Sequence, residues 1–189
     1  MPSVGVVAIQ GDFEKHLEAL TKAGAGDAIE VRTPEELAVV ERVILPGGES
    51  TTVGLLMRRY GLGEALQSFA ASGKPIWGTC MGMILMAQRI KDRPDQWSLG
   101  LLDIEVERNA FGAQVHSFED EVEVEGLGPA LGVFIRAPIV TSLRERAQPF
   151  ARYQGHVVGA IQDNLVGTSF HPELTDDVRL HDWFLRWRP

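Results

Sequence analysis

The first ninety residues alternate short, unbroken apolar runs with segments of helical period, and this alternation constrains the fold more than any other feature of the sequence. A strand apolar on both faces is one covered on both sides, and strands linked through helices run parallel. Val4 to Ile9 is such a run, ending at Gln10-Gly11, and Phe13, Leu17 and Leu20 then recur at helical spacing up to Gly24, where a helix should stop. Ile29 to Val31 predicts a second strand. Arg42 to Pro46 predicts a third, running into Gly47-Gly48 and a helix capped by Ser50 or Thr51 that carries Val53, Leu55, Leu56 and Met57. A helix near Gly63 to Ala71, a strand over Lys74 to Gly78 and a helix from Cys80 to Arg89 complete an α/β pattern: a parallel sheet with helices on both faces.

From Leu101 the pattern shortens. Leu102 to Glu107, Gln114 to Phe118, Glu121 to Val124, Gly132 to Ile135, Val157 to Ile161 and Val166 to Phe170 predict antiparallel or mixed strands that extend the sheet. A helix over Asp176 to Trp187, with Val178, His181, Phe184 and Leu185 on one face, closes it. With 189 residues and no repeat or linker, the chain reads as one domain.

Composition narrows the function. The 18 Lys and Arg against 26 Asp and Glu give a net charge of −8, which works against binding nucleic acid phosphates. The one cysteine cannot form an internal disulfide, no CxxC or HExxH metal motif is present, and the cytosol is the expected compartment. The longest nearly apolar stretch, Ile76 to Ala87, is broken by Gly78, Thr79, Cys80 and Gly82 and falls short of the ~18 to 20 residues that span a bilayer. With no positive charge before Lys15, the beginning reads as a first strand rather than a secretory signal.

The sharpest chemical feature is Gly78-Thr79-Cys80-Met81-Gly82, a G-x-C-x-G sequence between a strand and a helix. This is the thiol form of a nucleophile elbow, which projects the side chain at the carboxyl end of a strand and at a helix N-terminus, where the dipole and free N–H groups favour a thiolate. A lone cysteine among apolar neighbours is commonly a core residue, but the paired glycines point to chemistry. A cysteine nucleophile needs a base with an orienting partner. Phe170-His171-Pro172-Glu173 supplies both: an extended tripeptide around Pro172 would place His171 and Glu173 on one side. His16, His116, His156 and His181 lack such a neighbourhood and read as surface or packing residues. Pro46-Gly47-Gly48-Glu49-Ser50-Thr51-Thr52 is a strand end, a glycine pair and a helix start, a turn that exposes N–H groups to an anion.

Together these residues resemble the class I (triad) glutamine amidotransferases, and more closely the glutaminase subunit of the two-subunit pyridoxal 5′-phosphate synthase, the PdxT family. The resemblance runs from Gly5-Val-Val-Ala-Ile-Gln-Gly11 through Leu45-Pro-Gly-Gly-Glu-Ser-Thr-Thr52, Gly78-Thr-Cys80, Val106-Glu-Arg-Asn-Ala-Phe-Gly112, Ser117-Phe-Glu119 and Val133-Phe-Ile-Arg-Ala-Pro138 to Ser169-Phe-His-Pro-Glu-Leu-Thr175. It implies a single amidotransferase domain over 1–189, a flavodoxin-like three-layer sandwich with a mostly parallel sheet. It also implies Cys80 as nucleophile, His171 as general base and acid, and Glu173 as its orienting group. Gly48, Glu49, Ser50, Arg108, Ile135 and Arg136 would hold L-glutamine, and the N–H groups of Gly47 and Met81 would form the oxyanion hole. No metal or organic cofactor is implied, and the partner would be a PdxS-type synthase subunit in a large heteromeric complex, with Gln10 a candidate contact.

Two positions depart from the common family pattern: Met81 stands where Ala is frequent, and Gly112-Ala113-Gln114 replaces Gly-Arg-Gln. Met81, Met83 and Met86 could line an ammonia path, though helical spacing favours core packing. The rival readings are a glutaminase of another amidotransferase, such as imidazole glycerol phosphate synthase, an inactive partner-binding module, and a one-cysteine thiol hydrolase.

Overall fold

A computed structural model describes residues 3–111 and 117–189. Twelve strands form one sheet in which the order β2-β1-β3-β4-β12-β11-β10-β7-β8 runs edge to edge, with β5, β6 and β9 branching from β11. The expected parallel half is β1 (Val4–Val7), β2 (Ile29–Val31), β3 (Arg42–Leu45) and β4 (Ile76–Thr79), joined by the late strand β12 (Leu165–Thr168). Every residue of β1, β3, β4 and β12 is buried, as expected of strands covered on both faces.

The two faces carry separate cores. Val7, Val43, Leu45 and Ile76 pack on one side with α2 (Pro34–Ala38), α3 (Ser50–Arg59), α4 (Leu62–Ala71) and α5 (Met81–Met86). On the other side, Val4, Val6, Ile44, Trp77 and Val166 meet α1 (Phe13–Lys22) and α6 (Arg179–Arg186) through Leu20, Phe184 and Leu185. Arg42, buried at the start of β3, donates from Nη1 to the Phe184 and Trp187 carbonyls, satisfying the end of α6.

The antiparallel half is made of β6 (Leu102–Glu107), β7 (Phe118–Val124), β8 (Gly128–Phe134), β9 (Ile139–Leu143), β10 (Gln148–Tyr153) and β11 (His156–Gln162). The runs read from sequence at Glu121 to Val124 and at Phe118 belong to one strand, β7. The rest of the Gln114 to Phe118 run, with His116 and Gly112-Ala113-Gln114, lies outside the described residues, apart from Ser117. Two strands escaped the pattern. β10 carries Pro149 and register shifts on either side of Ala151, which break its alternation. β9 is paired on both edges but buries few of its residues, so it shows little apolar signal. The helix α2 was also missed, although Thr33 and Glu36 form a reciprocal capping box there.

Two helix boundaries move. The helix expected over Cys80 to Arg89 stops at Met86, where Ala87 turns extended and begins β5 (Ala87–Ile90), parallel to β6. All of α5 is buried, so its residues have no polar face to mark its end. The closing helix starts at Arg179 instead of Asp176, because Asp177 accepts the Arg179 N–H and holds the preceding residues in a turn.

The elbow glycines are explained by clearance. A Cβ on Gly82 would sit 2.0 Å from the Leu45 carbonyl oxygen, and one on Gly78 would sit 2.5 Å from the Gly82 carbonyl carbon. Gly82→Ala is therefore expected to destabilise the chain by at least about 1–3 kcal/mol, the range for overpacking, read as a lower urea midpoint at unchanged slope.

Candidate active site

The segments that follow the carboxyl ends of four neighbouring parallel strands deliver the site: Gln10–Asp12 after β1, Gly47–Glu49 after β3, Cys80 after β4 and Ser169–Glu173 after β12. This edge, beside the point where the chain switches direction across the sheet, is where open α/β folds bind ligands. A cavity of about 420 Å³ opens there, lined by Gln10, Asp12, Gly48, Glu49, Ser50 and Cys80 from the parallel half. Arg108, Asn109, Ile135, Arg136 and His171 complete it.

Cys80 is held at φ 50°, ψ −104°, a conformation that costs a non-glycine residue energy. Its N–H donates to the Thr168 carbonyl at 2.7 Å, and its carbonyl accepts from Ile84 in the first turn of α5. The thiol is 7% exposed, with Sγ 3.9 Å from the Ile135 carbonyl oxygen. Of the five non-glycine residues with positive φ among those described, Cys80, Asn109 and Arg136 all line the cavity.

His171 is fixed at its backbone and at its ring. Its N–H donates to the Val133 carbonyl at 2.8 Å, and its Nδ1 lies 2.7 Å from Glu173 Oε1. The expected extended tripeptide is corrected here. His171 sits at φ −105°, ψ 88°, short of the extended region, and Pro172–Leu174 forms a 3₁₀ turn, because proline fixes φ near the helical value and lacks the N–H. The turn brings Glu173 back under the ring. Burial pulls the His171 pKa down, but hydrogen bonding and charge from Cys80 and Glu173 outweigh it and raise it to about 10. Burial also raises Glu173 above the usual carboxylate range, opposed by His171.

The glycine-pair turn joins a strand to a helix start, with a cap other than Ser50 or Thr51. Glu49 is the N-cap of α3, its carboxylate accepting from Thr51 N–H at 2.9 Å and Thr52 N–H at 2.7 Å, while Ser50 becomes the first helical residue. Those bonds, led by Thr52 and opposed by partial burial, lower Glu49 to about 2. Gln10 Oε1 accepts from the Glu49 N–H at 3.3 Å, tying the end of β1 to this turn. A Cβ on Gly47 would fall 2.3 Å from His171 Cε1, so this backbone lies against the imidazole.

The two arginines differ. Arg108 bonds Asp92 through Nε at 3.1 Å and Gln96 Oε1 through Nη1 at 3.0 Å, and Gln96 Nε2 in turn donates to Ser50 Oγ. Arg136 is exposed and forms no ion pair among the described residues. Met81, Met83 and Met86 are fully buried in the core, so packing accounts for them, and the Met81 side chain lies against Gly48.

Asp12, Asp92 and Gln96 were not found from sequence, since they reach the site from loops without a motif; Asn109 lies in the Val106 to Gly112 motif but was given no role. His16 and His181, read as surface or packing residues, are fully buried, and His16 Nε2 lies 3.3 Å from Glu173 Oε2. His156 is exposed, as read. Ligand atoms of Asp12, His171 and Glu173 lie within 4.8 Å of one another, but His171 Nδ1 and Glu173 Oε1 already satisfy each other at 2.7 Å, with Asp12 at 4.0 Å from the same nitrogen.

The sequence model of the SNO glutamine amidotransferase family matches residues 6–188. The chain belongs to this family. It is 52% identical over 187 residues to the pyridoxal 5′-phosphate synthase subunit PdxT of Roseiflexus castenholzii, covering 97% of this chain and 98% of that one. A crystal structure of a glutamine amidotransferase superposes with a TM-score of 0.92 at 49% identity, over 96% of both chains. A more distant structure, the glutaminase domain of CTPS from Trypanosoma brucei, shares the fold at 12% identity, with a TM-score of 0.66 over 98% of this chain and 92% of that one. No helix of the described residues is long and apolar enough to cross a membrane.

The Glu49 cap carries a pH signature. Its folded pKa lies below that of a free glutamate, so its stabilisation is present above about pH 4.5 and is lost as the pH falls towards about 2. Glu49→Gln is expected to lower stability at neutral pH by about 1 kcal/mol or less because the group is exposed, read as a lower thermal midpoint. The difference from the native chain should close between pH 4.5 and 2 in a calorimetric series.

Proposed function

We propose that this chain, a single domain, hydrolyses L-glutamine to L-glutamate and ammonia and passes the ammonia to a synthase subunit that makes pyridoxal 5′-phosphate. The observation that carries the reading is the strained Cys80 at the N-terminus of α5, opening into the same cavity as a His171 ring whose far nitrogen is held by a buried carboxylate. Family membership over nearly the whole length supports the substrate and the pathway.

The steps follow from the geometry. The Cys80 thiolate attacks the side-chain carbonyl carbon of glutamine, forming the C–S bond and a tetrahedral oxyanion. The Met81 N–H, in the first turn of α5 without a partner in its own helix, and the Gly47 N–H are the proposed donors to that oxyanion. His171, protonated at neutral pH, gives a proton to the amide nitrogen; the C–N bond breaks and ammonia leaves. The ring, now neutral, takes a proton from water, whose hydroxide attacks the thioester and releases glutamate and the thiolate. Glu173 keeps the Nδ1 proton in place, so Nε2 does both transfers.

Glutamine recognition uses the rest of the lining. Its α-carboxylate suits the guanidinium groups of Arg108 and Arg136, and its ammonium suits the carbonyl of Ile135 and the carboxylate of Glu49; Gly48 and Ser50 complete the walls. The partner is a PdxS-type synthase subunit in a large heteromeric complex, with Gln10 close to its docking edge. Docking would turn the Gly47-Gly48 peptide so that its N–H faces the oxyanion, a motion that two adjacent glycines permit.

Glutamate release from the purified chain, alone and with a pyridoxal phosphate synthase subunit, tests the reading. Activity should rise strongly on mixing; equal activity in both samples would instead point to a glutaminase of another pathway. Cys80→Ala should reduce release by at least ~1,000-fold, and Glu173→Gln by roughly 100- to 10,000-fold.

A further inference from the structure

Behind Glu173 lies a buried polar chain that the triad does not use. His16 on α1 and His181 on α6 are both 0% exposed, and they meet through His16 Nδ1 and His181 Nε2 at 2.9 Å. His16 Nε2 lies 3.1 Å from Thr79 Oγ1 and 3.3 Å from Glu173 Oε2, the carboxylate oxygen that does not face His171. That oxygen is buried and accepts no hydrogen bond; His16 Nε2 faces it at ion-pair distance.

The donors can be assigned from chemistry. An ionised carboxylate only accepts, so the His16 nitrogen that faces Glu173, Nε2, carries the proton; it donates to the Thr79 hydroxyl and presents its positive end to the carboxylate. His16 Nδ1 is then an acceptor, and His181 Nε2–H donates to it. This leaves the buried His181 Nδ1, which has no partner, as a bare lone pair, less costly than a stranded N–H. Two neutral imidazoles thus point their donors in series toward one carboxylate. Trp77 packs edge-on against both rings, at 6.0 Å from His16 and 5.1 Å from His181, and holds the pair against β4.

We propose that His16, aligned by His181, is a positioning residue of the glutaminase reaction: it fixes the outer oxygen of Glu173 so that the inner one holds the His171 Nδ1 proton. The inference rests on the proposed role of Glu173. The ionisable groups around that carboxylate are His171 in its own turn, Asp12 ahead of α1, His16 on α1, His181 on α6 and Cys80 across the ring. Of these, His16 and His181 are kept neutral by burial, His181 with a pKa of about 3, so they act as dipoles rather than charges.

The test compares His16→Leu with His16→Gln, whose amide nitrogen can occupy the place of Nε2, in the complex with the synthase subunit. His16→Leu should lower kcat by about 10- to 100-fold, the range for residues that orient a reacting group through one hydrogen bond, with KM changed less than about twofold. The acidic limb of kcat/KM should move to higher pH, because a carboxylate deprived of a donor protonates sooner. His16→Gln should recover most of the rate. Independently of turnover, the low-field proton resonance of His171 Nδ1–H should move upfield in His16→Leu and return in His16→Gln.

A kcat for His16→Leu within twofold of native, or a loss that His16→Gln does not repair while the His171 resonance stays in place, would overturn the proposal. If the Leu variant does not fold, His181→Phe decides, since it removes the donor to His16 alone: a smaller fall with the same resonance shift supports the chain of donors, and no change in either refutes it. A native complex that releases no glutamate would sink the glutaminase reading, while the resonance would still report on His16.

Discussion

The site depends on a contact with no side chain in it. The first turn of α5 is pressed onto the sheet so closely that the α-carbon of Gly82 faces the Leu45 carbonyl, and Gly78 faces Gly82 in turn. Backbone against backbone at this distance fixes the height of the helix above β3 and β4. With the helix low and the strand end fixed, the residue between them has one way to connect, through the left-handed region, and that residue is Cys80. The sulfur is therefore placed by packing, and the helix N–H groups open toward the same space.

Around this point the protein must keep a carboxylate, several imidazoles and a thiol out of water without leaving any uncompensated. Burial alone would neutralise each of them. The arrangement instead pairs the groups in a line, with Glu173 between His171 and His16, and His171 between Glu173 and Cys80. At His171 hydrogen bonds and charge from Cys80 and Glu173 outweigh burial, and at Glu173 burial outweighs His171, so the loss of one partner is felt along the line. The glycine-pair turn solves its problem differently: Glu49 sits at the water's edge and stays ionised because two helix N–H groups hold it.

Much of this could be read in the sequence because local rules and global packing agree. The buried strands of the parallel half are apolar throughout, the elbow carries its two glycines, and proline marks the turn that closes the triad. Legibility failed where burial erased the pattern. The helix α5 is buried on every side, so its end at Met86 leaves no trace, and β10 hides behind Pro149 and its bulges. His16 shows the same limit at the site: in sequence it is one histidine in an amphipathic helix, and its meaning comes from Glu173 and His181, which only folding brings near. Arg108 and Arg136 were reached through resemblance, since no spacing rule ties a loop arginine to a strand-end cysteine.

The position of β12 has a consequence for how the chain is made. The last strand among the described residues is not an edge: it lies between β4 and β11 and joins the two halves of the sheet. Until it inserts, β4 has an open flank and Cys80 has no His171 beside it. Completion of the candidate site thus waits on contacts between distant parts of the polypeptide, and is slow by the standards of locally organised folds. Chains stalled before residue 165 would leave the β12 flank of β4 unpaired and would lack His171 and Glu173.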